Sequence, residues 1–454
     1  MAETASKHIS KARIIEKIII TGTLTVQSPL RIGAGGIADD PTIDTYILKD
    51  KMDMPFIPGT SVAGVLRHYV MDLDTETETH LCPYLFGSLE DAMQSAVIID
   101  DIPLEDAIIT IRDGVRIDED TKTAVKGAKY NYEAIDRGAH GSFSMEITLR
   151  EKHSPKQQEL HAVIEKLITY MQHGFMLGSL TTKGFGQVQL ANTVASLYRM
   201  DDAKDVQAWF TGGKSAHTIA VDSPFVPLQD TLVIDAAFAL RSSLIIRDND
   251  TDKVTADNQP IHAVQKVSCG EYVIPGPSIK GVLRHGAIDL LRRLGKNEAW
   301  IQEHINGLMG FAMEDEKAKS RFYVKEAYLS KNDVVAKAQS RNRIDRFTGG
   351  TIDTALFTTE PVWQKETGRR SLSLHYEIRK CKDWEAGLAI VLLRNLWLGR
   401  TALGGEKSIG RGTLQGLSAT IIYEGKTYTL DTNGKVTSGD FETLNSLAQS
   451  LLQA

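Results

Sequence analysis

Apolar side chains recur along this chain with two different periods, which predict helices and strands. One apolar stripe repeats every three or four residues, as on one face of a helix, and consists of Val62, Val65, Leu66, Tyr69, Val70 and Leu73. The segment SMEITLR alternates instead, which predicts a half-buried strand with Met145, Ile147 and Leu149 on its apolar side. A second helix is predicted over residues 155–174, and an opening strand in IEKIIITGTLTVQ.

The same succession of elements is predicted twice. PFIPGTSVAGVLRHYV and YVIPGPSIKGVLRHGA align with Pro58 and Pro275 as counterparts. Further segments match in the same order and at nearly the same separation: VRIDEDTKTAVKGAKYNYE with NRIDRFTGGTIDTALFTTE, SMEITLR with SLSLHYE, and LGSLTTKGFGQVQ with LGGEKSIGRGTLQ. Because chance does not keep several matches in register, we interpret the chain as a tandem duplication. A join in the loop-like FTGGKSAHTIAVDSPFVP predicts units at 1–212 and 213–454.

Each unit is predicted to have a mixed α+β fold. The order is a strand, a long loop, a Pro-Gly helix start, two strands, a second helix, a glycine-rich turn and a final strand. This β-α-β-β-α-β order is that of ferredoxin-like and RNA-recognition-motif folds. Pro58 ends the preceding non-helical segment, and Thr60 or Ser61 is expected to cap the first helix. A chain of 454 residues has room for two such domains.

Composition narrows the class of protein. With 42% hydrophobic and 24% charged residues, and no apolar run of the roughly 18 residues that span a bilayer, we expect a soluble, cytoplasmic protein without membrane contact. The formal net charge of −6 argues against a uniformly basic surface, so any nucleic-acid site is expected to be local. The 3 cysteines lack CxxC spacing, which excludes a four-cysteine zinc site.

Two repeated features are suited to binding phosphate. The Pro-Gly-x-Ser helix starts, with Gly59, Ser61 and Ser278, expose backbone N–H groups at the positive end of a helix dipole. Cationic side chains accompany them on the same helices or on the glycine-rich turns: Arg67, Lys183, Lys280, Arg284, Lys407 and Arg411. Each feature alone is common in proteins. Their recurrence in order in both units favours a function, the binding of two successive segments of a sugar-phosphate chain.

The combined motifs resemble those of one known family. LRIGAGG, IDTYILKDK, PFIPGTSVAGVLRH, LFGS, VRIDEDT and GFGQV resemble the RAMP superfamily, and more closely the backbone subunits of type III CRISPR effector complexes. The resemblance covers about residues 15–189 and 231–415. Two fused units are most similar to the double-unit subunit of type III-D variant complexes. The resemblance implies that the partners are guide RNA, complementary target RNA and other subunits, and that a thumb hairpin in each unit displaces bases.

The resemblance also implies a cleavage site. Its loop aspartate falls on Asp44, which is expected to act in metal-dependent cleavage of target RNA, either as a base or by binding Mg²⁺ (or Mn²⁺) weakly. The counterpart in the second unit is His262, which leaves cleavage by that unit open. The longer second loop carries three aspartates that either replace the missing carboxylate or form a flexible acidic tip: Asp248, Asp250 and Asp252.

Two matching arginines leave further alternatives open. Arg116 and Arg343, beside Asp118 and Asp345, either contact RNA from the thumb side or form an internal ion pair in each unit.

At the level of function, three alternatives to a cleaving backbone subunit stay open. They are a non-catalytic RNA-binding scaffold, a guide-processing ribonuclease of the same superfamily, and a phosphometabolite enzyme.

Overall fold

The computed structural model of the protein describes residues 11–35, 43–90, 92–221, 230–248, 251–312, 317–368 and 372–453. They form two compact units. Unit one consists of Met1–Thr181 and Phe185–Val226, and unit two of Thr182–Gly184 and Pro227–Ala454. The predicted mixed α+β class is confirmed, since each unit packs helices on an antiparallel sheet. The boundary at 212/213 stays a prediction.

Unit one is built on a central antiparallel sheet. Its strands are β1 (Ile14–Val26), β2 (Phe56–Ile57), β3 (Val97–Ile99), β4 (Ile102–Pro103), β5 (Ile109–Ile117), β6 (Ala124–Ile135), β7 (His140–Arg150), β8 (Phe175–Met176), β9 (Gln187–Arg199) and β10 (His217–Thr218). Its helices are α1 (Gly59–Thr77), α2 (Cys82–Phe86), α3 (Gln157–His173) and α4 (Ala203–Thr211). In the sheet the order is β10-β9-β1-β7-β3, with β8 paired to β9.

The core of unit one follows the apolar pattern of the sequence. On β7, Met145, Ile147 and Leu149 are fully buried, as the alternation predicts. The stripe on α1 is buried except for Val65, which is half-buried at its edge. Helices α1 and α3 meet through Tyr69 and Tyr170, whose rings stack at 4.0 Å between centroids. Helices and sheet therefore enclose one continuous core.

Unit two has a similar central sheet and additional small sheets. Its strands are β11 (Leu232–Leu240), β12 (Arg247–Asp248), β13 (Ala263–Gln265), β14 (Val267–Ser268), β15 (Glu271–Ile274), β16 (Phe311–Ala312), β17 (Lys317–Ala318), β18 (Phe322–Val324), β19 (Ala327–Leu329), β20 (Val334–Ala336), β21 (Gln339–Arg341), β22 (Phe357–Glu360), β23 (Val362–Gln364), β24 (Leu372–Ile378), β25 (Leu414–Tyr423), β26 (Lys426–Leu430) and β27 (Val436–Ser438). Its helices are α5 (Gly276–Arg293), α6 (Glu298–Met309), α7 (Asp383–Trp397) and α8 (Phe441–Gln453).

Two sheets of unit two and two short turns carry residues of the candidate functional site. The central sheet has the order β18-β24-β11-β25-β26-β27, and a smaller one has the order β12-β13-β22-β21. Short 3₁₀ turns at Thr181–Lys183 and Lys407–Ile409 carry the glycine-rich segments. Within the described parts of both units, no helix is long and apolar enough to cross a membrane.

A two-stranded hairpin extends from unit one. Strands β5 and β6 pair from Ile109 with Ile135 to Val115 with Lys129, and a bulge follows before the turn. Apolar side chains remain exposed along β5, namely Ile109, Ile111, Val115 and Ile117. These apolar groups of β5 therefore face solvent, whereas Tyr132 and Ala134 on β6 pack in a small core with Phe185.

Candidate functional site

Asp44 lies at an exposed edge beside β6, where its side chain is held in a defined orientation. Its Oδ2 accepts the Asn131 backbone N–H at 2.8 Å, and its own N–H donates to Asn131 Oδ1 at 3.0 Å. The next residue, Thr45, forms a parallel bridge with Tyr132, and its carbonyl accepts the Glu133 N–H at 2.9 Å. An exposed but oriented carboxylate is suited to acting on a ligand that arrives from solvent.

The edge that carries Asp44 is fixed by a buried carboxylate. Glu133, only 7% exposed, accepts the Ile47 N–H at 3.2 Å and the Lys49 ammonium at 3.3 Å. Tyr132 precedes Glu133 on β6, and the Arg31 guanidinium lies 5.2 Å from the centre of the Tyr132 ring. Both interactions tie the loop to β6, so Asp44 sits on a rigid support.

The residues around Asp44 fit only a weakly bound metal ion. Among the residues with described coordinates, no group of three or more His, Cys, Asp or Glu could hold a metal. Asp44 therefore contributes one carboxylate. Mg²⁺ is commonly bound by one or two carboxylates together with substrate phosphates and water, and Mn²⁺ also favours oxygen ligands. The donor set is compatible with such an ion when a bound ligand supplies the remaining oxygens.

His262 makes the corresponding contact in unit two. The ring atom Nδ1 of His262 accepts the Thr358 backbone N–H at 3.1 Å. The backbone N–H of His262 donates to the Thr358 carbonyl at 2.8 Å. Thr358 and Asn131 occupy the same position where VRIDEDTKTAVKGAKYNYE and NRIDRFTGGTIDTALFTTE align without gaps. Neither Asn131 nor Thr358 belongs to a motif that predicts function from the sequence, although the alignment makes the two residues equivalent.

The second-loop aspartates do not form a common site in the described residues. Asp248 on β12 lies 3.7 Å from the Lys266 ammonium, which partly neutralises it. Asp252 is exposed, and Asp250 lies outside the described residues. Their proposed replacement of the Asp44 carboxylate stays a prediction.

A cluster of three arginines surrounds one carboxylate beside His262. Glu406 accepts Arg247 Nη2 at 2.9 Å and Arg411 Nε at 2.8 Å, and it also pairs with Arg341. Burial raises the pKa of Glu406, but hydrogen bonds from Arg341 and Arg247 outweigh it and lower the pKa overall. The Arg247 guanidinium and the His262 ring lie 5.9 and 4.8 Å from the Phe357 ring. Sequence reasoning missed the cluster because its members come from separate strands and a turn.

Two predicted RNA-binding cations are engaged inside unit two. Arg411 is 3% exposed and bound to Glu406, and Lys280 is 6% exposed. The Lys280 ammonium donates to Ser320 Oγ at 2.7 Å and to the Phe322 carbonyl at 2.8 Å. Desolvation lowers its pKa to about 7, with further lowering by the charges of Lys183 and Arg284. Both side chains therefore bind protein groups of unit two, and their contact with RNA stays a prediction.

The helix start of unit one is capped differently from the sequence expectation. The N-cap residue is Pro58, and neither Thr60 nor Ser61 caps α1 within the described structure. Instead Asp101 Oδ1 accepts the Gly59 N–H at 2.9 Å. A carboxylate is stabilised at the positive end of a helix, so this N–H already has an anionic partner. The expected cap was wrong because the capping carboxylate is distant in sequence.

Glycine is required sterically at both helix starts. A Cβ on Gly59 would lie 2.0 Å from the Ile99 carbonyl oxygen, and one on Gly276 would lie 1.9 Å from the Lys183 carbonyl oxygen. The backbone N–H groups of Ser61 and Ser278 each donate to the proline carbonyl of their own helix start at 2.9 Å. The repeated Pro-Gly-x-Ser motif therefore forms the same local turn in both units.

The remaining predicted cations differ in exposure. Arg67 is exposed and lines an open cavity of about 890 Å³, while Arg284 donates to Asn306 Oδ1 at 2.7 Å. Lys183 is half-buried, and burial lowers its pKa. Lys407 is exposed on its turn. Arg67 and Lys407 are thus more accessible to a polyanion than Arg284 and Lys183.

Arg116 and Arg343 are exposed beside matching turns. Asp118 Oδ1 accepts the Thr121 N–H at 2.7 Å, and Asp345 Oδ1 accepts the Thr348 N–H at 2.9 Å. These backbone hydrogen bonds lower the pKa of both aspartates. Each aspartate therefore stabilises its own turn, which leaves the neighbouring arginine accessible.

The chain is similar to a known family and to a curated protein. The family model described as the RAMP superfamily matches residues 23–189 and 206–415. One curated relative is the "CRISPR system Cms endoribonuclease Csm3" of Mycobacterium tuberculosis (strain ATCC 25618 / H37Rv). It is 28% identical over 214 residues, which cover 39% of this chain and 88% of the relative.

Proposed function

The chain belongs to the RAMP superfamily, and we propose on that basis that it is a guide-RNA-binding backbone subunit of a type III CRISPR effector complex. In this proposal Asp44 of unit one cleaves target RNA complementary to the guide. The observation that carries the proposal is the exposed Asp44 carboxylate, oriented by Asn131 beside the projecting hairpin. The relative named as an endoribonuclease supports the same activity class.

The duplicated architecture supports a subunit that occupies two consecutive positions on the guide. The family model matches two successive segments, whereas the relative aligns over 88% of its own length with only 39% of this chain. We therefore propose the fused double-unit subunit of a type III-D variant complex, with two ferredoxin-like units. Its partners would be guide RNA, target RNA and further subunits of the complex in the cytoplasm.

The proposed RNA surface consists of the exposed cations and the hairpin. Arg67, Arg116, Arg343 and Lys407 are exposed, and each can approach a phosphate from solvent. The exposed apolar row on β5 suits contact with bases, so we propose the β5–β6 hairpin as the thumb of unit one. The helix starts at Gly59 and Gly276 position the helices that carry Arg67 and Arg284.

The proposed reaction uses the nucleophile that RNA itself contains. The 2′-oxygen forms a bond to the adjacent phosphorus, and the bond from phosphorus to the 5′-oxygen breaks. The 2′-OH proton leaves to a base, and the released 5′-oxygen takes up a proton from water. In this proposal Asp44 accepts that proton or would hold Mg²⁺ or Mn²⁺, which would stabilise the charge on the phosphate. Asn131 keeps the carboxylate in one orientation through this step.

A second candidate, an RNA-binding scaffold without cleavage, is favoured for unit two by one observation. His262 occupies the position of Asp44 and provides no carboxylate oxygen. The scaffold interpretation therefore applies to unit two within the same protein, while unit one retains the cleaving carboxylate.

The test is target-RNA cleavage by the complete complex, with Mg²⁺ and with EDTA. Asp44→Asn preserves the size of the side chain and an acceptor for the Asn131 N–H, so guide RNA and target should still bind. We expect at least one product band to disappear, as it does for wild type in EDTA. Asp72→Ala, which removes an exposed carboxylate of α1, is the matched control and should cleave like wild type. Unchanged products with Asp44→Asn would show that Asp44 does not cleave the target.

A further inference from the structure

We propose that unit two holds an RNA phosphodiester at the position equivalent to Asp44 without cleaving it. In this site Arg247 and Arg341 neutralise the phosphate, and His262 donates a hydrogen bond to it. The inference rests on the proposed function, because the ligand is the RNA that unit one cleaves.

The hydrogen bond between Thr358 and His262 determines what the imidazole can do. Nδ1 accepts the Thr358 N–H at 3.1 Å, so the neutral ring carries its proton on Nε2. Adding a proton to Nδ1 would direct two N–H groups at each other. His262 therefore offers a donor at Nε2 and has no free lone pair for the proton of a 2′-OH. It can hold a phosphate oxygen but does not replace Asp44 as a base.

The arginine cluster carries more positive charge than its own carboxylate balances. Three guanidinium groups bind Glu406, which leaves a formal excess of two positive charges. The Glu406 and Arg411 side chains are 6% and 4% exposed and form the buried part. The Arg247 and Arg341 side chains, at 47% and 36% exposed, reach solvent. A phosphate diester at this outer edge would offset the excess through charge-assisted hydrogen bonds.

Two further observations point to a ligand in this place. Arg341 Nε is buried, and no hydrogen-bond partner for it exists in the described part of the chain. The Phe357 ring, 37% exposed, lies 5.9 Å from the Arg247 guanidinium and 4.8 Å from the His262 ring, so these three side chains are neighbours. Guanidinium, imidazole and aromatic groups together are typical of sites that hold single-stranded RNA.

The experiment measures release of labelled target RNA from the assembled complex. All variants are made in the Asp44→Asn background, so that the target remains intact. We expect Arg247→Ala to release target about tenfold faster, the effect of one lost charge-assisted contact. Arg293→Ala removes an exposed arginine from the last turn of α5 and is the matched control. Guide RNA retained by each variant is quantified in parallel, which distinguishes a contact with guide from one with target.

Product mapping tests the second half of the inference. In the Asp44→Asn complex, which retains His262, no product band should map opposite unit two, and adding His262→Ala to that complex should speed target release. A product band opposite unit two that disappears with His262→Ala would overturn the inference, as would an Arg247→Ala complex that retains guide and target like Arg293→Ala. A purified complex that contains no guide RNA would overturn the proposed function and this inference with it.

Discussion

Asp44 and Asn131 bind each other through two reciprocal hydrogen bonds, at 2.8 and 3.0 Å, although they lie 87 positions apart in the chain. The pairing joins the loop that carries the carboxylate to the hairpin proposed as the thumb. In unit two, His262 and Thr358 form the equivalent pair with a different side chain. Matching positions of the chain thus carry a carboxylate in one unit and an imidazole in the other.

Asn131→Ala should slow cleavage without weakening RNA binding. The variant removes the acceptor for the Asp44 N–H but leaves the backbone donor to Asp44 Oδ2. A carboxylate that is less well oriented should lower the single-turnover rate about tenfold. The measurement is target cleavage at saturating target, with the dissociation constant determined separately. Asn332→Ala, at an exposed turn, is the control. Equal losses in rate and affinity would contradict a positioning role.

Glu133 is expected to be a major determinant of stability in unit one. Glu133→Ala leaves the Ile47 N–H and the Lys49 ammonium without their buried partner, which should lower the free energy of unfolding by about 2–3 kcal/mol. Glu133→Gln retains an amide oxygen for the Ile47 N–H and should cost about 1 kcal/mol. Lys49→Ala should cost less than either. Denaturant unfolding followed by circular dichroism checks the order, and Lys49→Ala as the most destabilised variant would contradict it.

Two glycines on the same helix should respond in opposite directions to alanine. Gly59→Ala would place a Cβ 2.0 Å from the Ile99 carbonyl oxygen, so we expect a loss of about 3 kcal/mol or more. A Cβ on Gly64 would meet no atom within 4 Å, and Gly64→Ala should stabilise the helix by about 0.5–1 kcal/mol. Thermal unfolding of both variants is the measurement. Similar melting temperatures for both would show that the close approach at Gly59 is absent.

Lys280 should make the stability of unit two depend on pH. Burial lowers its pKa from 10.5 to about 7 in the folded chain. Between these values the unfolded chain binds one proton more than the folded chain, so the free energy of unfolding rises with pH across that interval. The slope should approach about 1.4 kcal/mol per pH unit.

The comparison for this prediction is Lys280→Met, which lacks the titrating group. Unfolding of wild type and variant is measured from about pH 7 to about pH 9. The difference between the two proteins should grow in favour of wild type as pH rises. Parallel curves would show that Lys280 remains charged in the folded protein.

The exposed arginines beside the two turns should contribute electrostatically to RNA binding. Arg116→Ala and Arg343→Ala are each expected to reduce the slope of log affinity against log salt concentration by about one. The loss should be independent of RNA sequence, because phosphate contacts do not read bases. Binding of guide RNA at several salt concentrations is the measurement, with Arg293→Ala as the control. If a variant has the same slope of log affinity against log salt concentration as wild type, the substituted arginine does not contact an RNA phosphate.

The amino-acid pattern was sufficient to establish the duplication, the α+β class and the course of the core. The stripe on α1 and the alternation on β7 arise from the local repeat of a helix and of a strand, and any fold that buries these side chains must respect that repeat. Pro-Gly at both helix starts likewise encodes a local backbone turn. These features depend on near neighbours in the chain, so they could be read without coordinates.

Which groups face each other at the site follows only from the folded chain. Asp101 caps a helix that begins at Gly59, and Glu406 gathers arginines from two strands and a turn. Folding also buries Lys280 and Arg411 while Arg116 and Arg343 remain exposed. Long-range strand pairing sets these neighbours, and the burial that results determines whether a charge binds a protein group or remains accessible to a ligand from solvent.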